Sequence, residues 1–149
     1  MQNPFFKNYG PFKISDLLSI LKLDIKNTYL DHNITDIKDL FASNKNEISF
    51  FHSKKYKEIA KNTKASFCIT TENLKNELNK NCKPIIVNNV LVSTSLVTAK
   101  FYPESINDDF DDTVNEIEDT EFKNKVKFGK NVLIGKNVSI GDNCLIGHN

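Results

Sequence analysis

The 28 residues from Phe122 to Asn149 repeat every six, and nothing else in the chain restricts its fold so strongly. The hexads read FKNKVK, FGKNVL, IGKNVS, IGDNCL and IGHN. A bulky apolar residue heads each one: Phe122, Phe128, Ile134, Ile140 and Ile146. Gly129, Gly135, Gly141 and Gly147 follow four of these heads, and Val126, Val132, Val138 and Cys144 recur four places after a head. An α-helix gains nothing from a glycine every six residues, each of which costs it about 1 kcal/mol. A period of six with two apolar positions suits a β-solenoid: one short strand and one corner per hexad, the head side chain inward, the glycine region letting the chain turn. Three hexads, roughly 18 residues, would close one triangular coil. A coil buries its apolar row only against a neighbouring coil, and Asn149 falls four residues into a hexad. The expectation is that the chain is the front part of a longer protein.

Composition narrows the function. Twenty lysines oppose 19 acidic residues, a formal charge of +1, which favours neither nucleic acid nor an anionic membrane as partner. The chain contains no arginine, so a phosphate would have to be held by lysine, hydroxyl or backbone N–H groups rather than by a bidentate guanidinium. Cys68, Cys82 and Cys144 have no metal-type spacing, and an odd, scattered set fits a reducing cytoplasm. Cys68 and Cys144 read as small buried hydrophobes rather than nucleophiles. No segment has the apolar length of a membrane span, and the first residues, MQNPFFKNYGPF, lack the order of a signal peptide. No metal or cofactor is expected.

Residues 13–102 alternate helical and extended patterns. Ser15 can N-cap a helix with Leu17, Leu18, Ile20 and Leu21 as its apolar stripe. Strands are expected over 33–37, 47–52, 65–70 and 84–88, and helices over 54–62, 71–80 and 90–102, the last ended by Pro103. Helices interleaved with short apolar strands imply a small α/β domain with a partly parallel sheet. Residues 1–103 are therefore read as this domain and 122–149 as the start of the solenoid. Between them, nine of the 18 residues from Glu104 to Glu121 are acidic. Without a D-x-D-x-D-G order they read as a solvated connector that also makes an irregular first hexad.

The stretch ISFFHSKKY, Ile48 to Tyr56, carries the candidate chemistry. In a strand, Ile48 and Phe50 share one face and Ser49 and Phe51 the other, so one phenylalanine should stand near a surface or cleft. The following helix returns Tyr56 to the same region, and two rings so held could sandwich a flat base; alternatively Phe50, Phe51 and Tyr56 are simply core. His52 is close enough to line such a cleft. His32 is a lone histidine with no Ser/Cys–Asp partner pattern, and His148 reads as an exposed corner residue.

A front α/β domain running directly into these hexads resembles the UDP-3-O-(3-hydroxyacyl)glucosamine N-acyltransferases of lipid A biosynthesis, hexapeptide-repeat enzymes of Gram-negative bacteria. The resemblance implies an α/β N-terminal domain followed by the first coils of a left-handed parallel β-helix. It implies transfer of a 3-hydroxyacyl chain from acyl carrier protein to the 2-amino group of UDP-3-O-acylglucosamine, by a homotrimer. In that family an Ile-(Ser/Thr)-Phe-x-x-(Asn/Ser)-x-x-Tyr segment binds uridine, which here puts Phe50 and Tyr56 on the uracil faces and Ser53 at its edge. Ser53 stands where the family usually has Asn, and a hydroxyl cannot present the paired groups of an amide. The family's catalytic histidine lies several coils further on, so no catalytic residue is expected in this chain and acyl transfer by it alone is not expected. Two alternatives stay open: a non-catalytic UDP-binding or oligomerisation module, and another hexapeptide-repeat sugar acyltransferase. A Mur-type ligase, which also opens with a small UDP-binding domain, would continue into a P-loop that is not present.

Overall fold

The computed structural model describes residues 6–23, 31–106, 113–136 and 138–149. The middle of the acidic connector, 107–112, lies outside the described residues. The chain divides between Asn107 and Asp108 into two compact units.

The front unit is built on a parallel sheet. Its strands β3 (Asp36–Ile37), β4 (Glu47–Phe51), β5 (Phe67–Thr70) and β6 (Lys83–Ile86) lie side by side in chain order, with Ile48 opposite Phe67 and Phe67 opposite Lys83. A parallel sheet needs cover on both faces, and the alternation of side chains supplies two separate cores. Ile48, Phe67, Ile69 and Ile85 pack on one side with Ile14 and Leu17 of α1 (Ile14–Ile20) and Val90, Val97 and Phe101 of α3 (Val90–Phe101). Phe51 and Cys68 point to the other side, where they meet Leu40, Leu74, Leu78, Cys82 and Ala60 of α2 (Lys57–Asn62). Each large side chain so buried contributes about 1.5–3 kcal/mol. Ser49 shares the Phe51 face; its fully buried Oγ has no hydrogen-bond partner among the described residues. A two-residue antiparallel pair, β1 (Phe12–Lys13) with β2 (Asn33–Ile34), flanks the sheet's unit, so the single run expected at 33–37 serves two different partners.

Two local expectations are corrected. Ser15 lies inside α1 and not at its cap: Lys13 occupies the N-cap without a side-chain bond, and the Ser15 carbonyl instead accepts a hydrogen bond from Ser19 Oγ. Residues 71–80 form no α-helix. A single 3-10 turn spans Lys75–Glu77 and Leu78 is already extended. Asparagine side chains give the backbone other partners there: Asn79 Oδ1 accepts from the Asn81 N–H, and Asn79 Nδ2 donates to the Lys61 carbonyl. Leu74 and Leu78 reach the core all the same. The long helix, by contrast, has a cap in Asn89, whose Oδ1 accepts from the Val92 N–H, and it stops at Phe101 before Pro103.

Among its described residues the second unit has four short strands: β7 (Asn115–Glu116), β8 (Lys127–Phe128), β9 (Leu133–Ile134) and β10 (Leu145–Ile146). β10 pairs in parallel with β8, Leu145 opposite Lys127 and Ile146 opposite Phe128, so the partners are 18 positions apart. The same offset runs through the loops, where Asn143 N–H donates to Lys125 O and Asn131 Nδ2 to Asn149 Oδ1, while the slanted ladder bonds from Lys127 N–H to Cys144 O and from Gly129 N–H to Ile146 O span 17 positions. β7 pairs antiparallel with β9. Phe122, Val126 and Ile134 form a small buried cluster, with Phe128, Val132, Ile140 and Cys144 packed against it. Ile146, expected inside, is 38% exposed. It belongs to the last strand in sequence, which pairs with β8 alone among the described strands.

The turning residue of the hexad is not the glycine. Among the described residues no glycine has a positive φ; Asn131, Asn143 and Asn149, in the fourth place of their hexads, take φ of 58°, 62° and 61°. Asparagine tolerates this left-handed conformation because its short amide can bond locally. Gly129 is needed for a different reason: a Cβ there would lie 2.6 Å from Gly147 C and from His148 N on the strand stacked above.

Candidate functional site

The carboxyl ends of parallel strands leave a crevice that α/β proteins use for ligands. In the front unit β3 ends at Ile37, opposite Ile48, and its neighbour β4 runs on to Phe51. After β3 the chain turns through Asp39, Leu40 and Phe41; Asp39 Oδ1 accepts hydrogen bonds from the Phe41 and Ala42 N–H groups at 2.8 and 2.9 Å and fixes this turn. After β4 it runs through His52 into a 3-10 turn at Lys54–Tyr56 and then α2. Asp39, Leu40, Phe41, Phe50, His52, Tyr56 and Ile59 enclose a cleft of about 330 Å³. The pairing of faces in β4 decides which phenylalanine reaches it: Phe51 is fully buried, while Phe50 is half-buried at the cleft.

Phe50 and Tyr56, expected from the sequence to act together, thus line one cleft, and His52 joins them with its ring centroid 5.6 Å from that of Tyr56. Tyr56 is 38% exposed, so one side of its ring is open. Ser53 is not among the lining residues. Its Oγ accepts from the Lys55 N–H at 3.3 Å and its carbonyl from the Tyr56 N–H at 3.1 Å, so it shapes the turn that carries Tyr56. Sequence reasoning missed Asp39, Leu40 and Phe41. The available signal was their place directly after a strand that pairs with β4.

A second cleft, of about 300 Å³, shares Asp39 and Phe50 with the first and adds Lys38 and Tyr102. Its polar wall is internally satisfied. Lys38 Nζ lies 2.6 Å from Glu47 Oε1 and 3.7 Å from Asp36 Oδ2, and Tyr102 OH donates to Asp36 Oδ1 at 2.6 Å. The Glu47 hydrogen bond raises the Lys38 pKa; burial, then the Asp36 bond, pushes the Tyr102 phenol up to about 12. These groups hold β3, β4 and the end of α3 together and leave no free cation for a phosphate.

The remaining candidates stand apart. His32 Nε2 is 3.1 Å from Asn46 Oδ1, with its ring against Phe67. His148 is exposed and its Nδ1 accepts from the Lys130 N–H at 2.8 Å, a corner position in the second unit. Cys68 is buried, and the neighbouring Cys82 thiol together with that burial pushes its own thiol up, away from thiolate. Among the described residues no three His, Cys, Asp or Glu side chains are grouped to hold a metal ion, and no helix is long and apolar enough to cross a membrane. The Phe50–Tyr56 cleft presents aromatic rings beside two further polar side chains, Asp39 and His52.

Residues 31–100, which carry this whole cleft, match the family model for UDP-3-O-(3-hydroxymyristoyl) glucosamine N-acyltransferase, LpxD. In sequence, these residues are similar to the LpxD family. A UDP-3-O-acylglucosamine N-acyltransferase of Rickettsia prowazekii (strain Madrid E) is 38% identical over 100 residues, which cover 66% of this chain and 29% of that protein. The protein of the same name from Rickettsia canadensis (strain McKiel) is 39% identical over 79 residues, 52% of this chain and 23% of its own length. A third, from Rickettsia typhi (strain ATCC VR-144 / Wilmington), is 36% identical over 100 residues, again 66% and 29%. The chain thus matches less than a third of the length of these LpxD relatives.

Proposed function

We propose that the front unit binds the uracil of a UDP-sugar between Phe50 and Tyr56, as the nucleotide-binding part of an N-acyltransferase of lipid A biosynthesis. The observation that carries this reading is the cleft at the carboxyl ends of β3 and β4, with one half-buried and one open aromatic ring on its wall. Ser53 serves it by fixing the 3-10 turn under Tyr56 rather than by lining the cleft. The reaction is transfer of a 3-hydroxyacyl group from acyl carrier protein to the 2-amino group of UDP-3-O-acylglucosamine, in the cytoplasm, by a homotrimer. The LpxD match and the names of the relatives support the reaction, and the resemblance of the hexads supports the trimer and the carrier protein.

Residues 122–149 are, in this proposal, the opening of a left-handed parallel β-helix. In support, β8 and β10 pair in parallel 18 positions apart, one turn of three hexads, and the head residues Phe122, Phe128, Ile134 and Ile140 share a cluster, Ile146 standing outside it. The domain boundaries follow: a uridine-binding front domain over 1–103, an acidic connector over 104–121, and hexads from 122.

Titration calorimetry of UDP into the 149-residue chain tests the nucleotide reading. Phe50→Ala and Tyr56→Ala are each expected to weaken binding by about 5- to 150-fold, the value of one stacking ring. Equal affinities in folded variants would mean that the two rings are only core.

A further inference from the structure

Stacking holds a base but does not choose among bases, because every base has a π-face. Discrimination needs a hydrogen-bonding group at the base edge. In this cleft Ser53 is not on the wall, and its Oγ accepts the Lys55 N–H in the turn under Tyr56. Besides the stacking ring of Tyr56, the polar side chains among the described lining residues are Asp39 and His52.

They differ in what they can present. The uracil edge shows two carbonyl oxygens flanking one N–H, so it mainly asks for donors. An ionised carboxylate only accepts, and beside O2 or O4 it repels. Asp39 Oδ1 is also already bonded to two backbone N–H groups. An imidazole has at least one ring N–H in every tautomer and charge state. His52 is exposed, its ring packs against Tyr56 at a centroid distance of 5.6 Å, and its nitrogens have no hydrogen-bond partner among the described residues. It stands one residue past β4 and two past Phe50, at the mouth of the cleft rather than in its floor.

Resting on the nucleotide reading above, we propose that His52 is the specificity-determining residue of this site, donating a ring N–H to the C4 carbonyl oxygen of uracil while Phe50 and Tyr56 hold the ring. It supplies an edge contact from the wall of the cleft, where Ser53 does not stand. The contact distinguishes a pyrimidine with a carbonyl at C4 from one with an amino group there, which offers a donor in place of an acceptor.

The test is calorimetry with UDP and CDP on the 149-residue chain and on His52→Phe, which keeps a ring beside Tyr56 and removes the N–H. The wild type is expected to favour UDP, and His52→Phe to lose about tenfold in UDP affinity and little in CDP affinity, so that the preference collapses. His52→Gln, which restores an N–H donor, is expected to recover part of the preference. If His52→Phe keeps the wild-type preference while Phe50→Ala and Tyr56→Ala still lose UDP, the His52 proposal is overturned and the nucleotide reading stands. If the wild type binds neither nucleotide, or both rings prove irrelevant, the nucleotide reading falls and takes the proposal with it.

Discussion

Tyr102 shows how one hydroxyl ties the front unit together. It is nearly buried, it donates to Asp36 Oδ1 at 2.6 Å, and it is approached by Asn8 Nδ2 at 3.4 Å. Its phenol is raised from 10.0 to about 12, first by burial and then by the Asp36 bond. A group with a raised folded-state pKa contributes stability that is complete below its unfolded pKa and is lost as pH climbs through the folded one. The Tyr102 contribution is therefore full below pH 10.0 and disappears between 10.0 and about 12. The Lys38 ammonium, raised by Glu47, moves in the same sense. Tyr102→Phe is expected to cost about 1.5–3 kcal/mol near pH 8, the value of a hydrogen bond to a charged group, and to show a shallower decline at high pH than the wild type. Urea melts from pH 8 to 11.5 measure both. Parallel curves for the two proteins would show that Tyr102 does not titrate as described.

At the scale of the element, the glycines of the hexads do not share one role. Gly129 faces the backbone of Gly147 and His148, so a methyl group at 129 has no room and no flexible neighbour to move. Gly141 meets only Cys144 Sγ, at 3.8 Å, an ordinary contact. Gly129→Ala is expected to cost the β8–β10 pairing about 1–3 kcal/mol, the usual penalty of overpacking. The amides of Lys127 and residue 129, which donate to Cys144 O and Ile146 O, should then exchange with solvent about 5- to 150-fold faster. Gly141→Ala should leave them unchanged. Similar acceleration in both variants would return the glycines to a turning role, which the positive φ of Asn131, Asn143 and Asn149 now assigns to asparagine.

At the scale of the whole molecule, the two units hold very different amounts of core. Among the described residues the front unit has buried clusters of 12 and 8 on the two faces of its sheet, whereas the second has one cluster of three. Stability follows buried apolar area, so local opening should be cheapest in the second unit. Native-state hydrogen exchange is expected to release the Lys127 and Gly129 amides well before those of β4 and β5. Equal protection throughout, with one shared transition, would mean that the units open as a single body.

The hexads themselves determined the spacing of the second unit. A six-residue period leaves few ways to place an apolar head and an asparagine, and the 18-position pairing follows from it. The order of helices and strands in the front unit was equally legible, because β4 and β5 are dense in β-branched and aromatic residues and Pro103 stops α3. Local chemistry misled where two local partners competed: Ser15 had the right type for a cap and lies within α1, and the asparagines after Leu78 drew the backbone out of a helix. Tertiary structure alone decided the rest. Whether Phe50 or Phe51 meets the cleft depends on which sheet face each occupies at the end of β4. That Asp39, Leu40 and Phe41 stand opposite Tyr56 depends on β3 pairing with β4 across an intervening loop. The physical reason is that periodicity fixes which residues share a face, while the pairing of distant strands fixes what that face looks at.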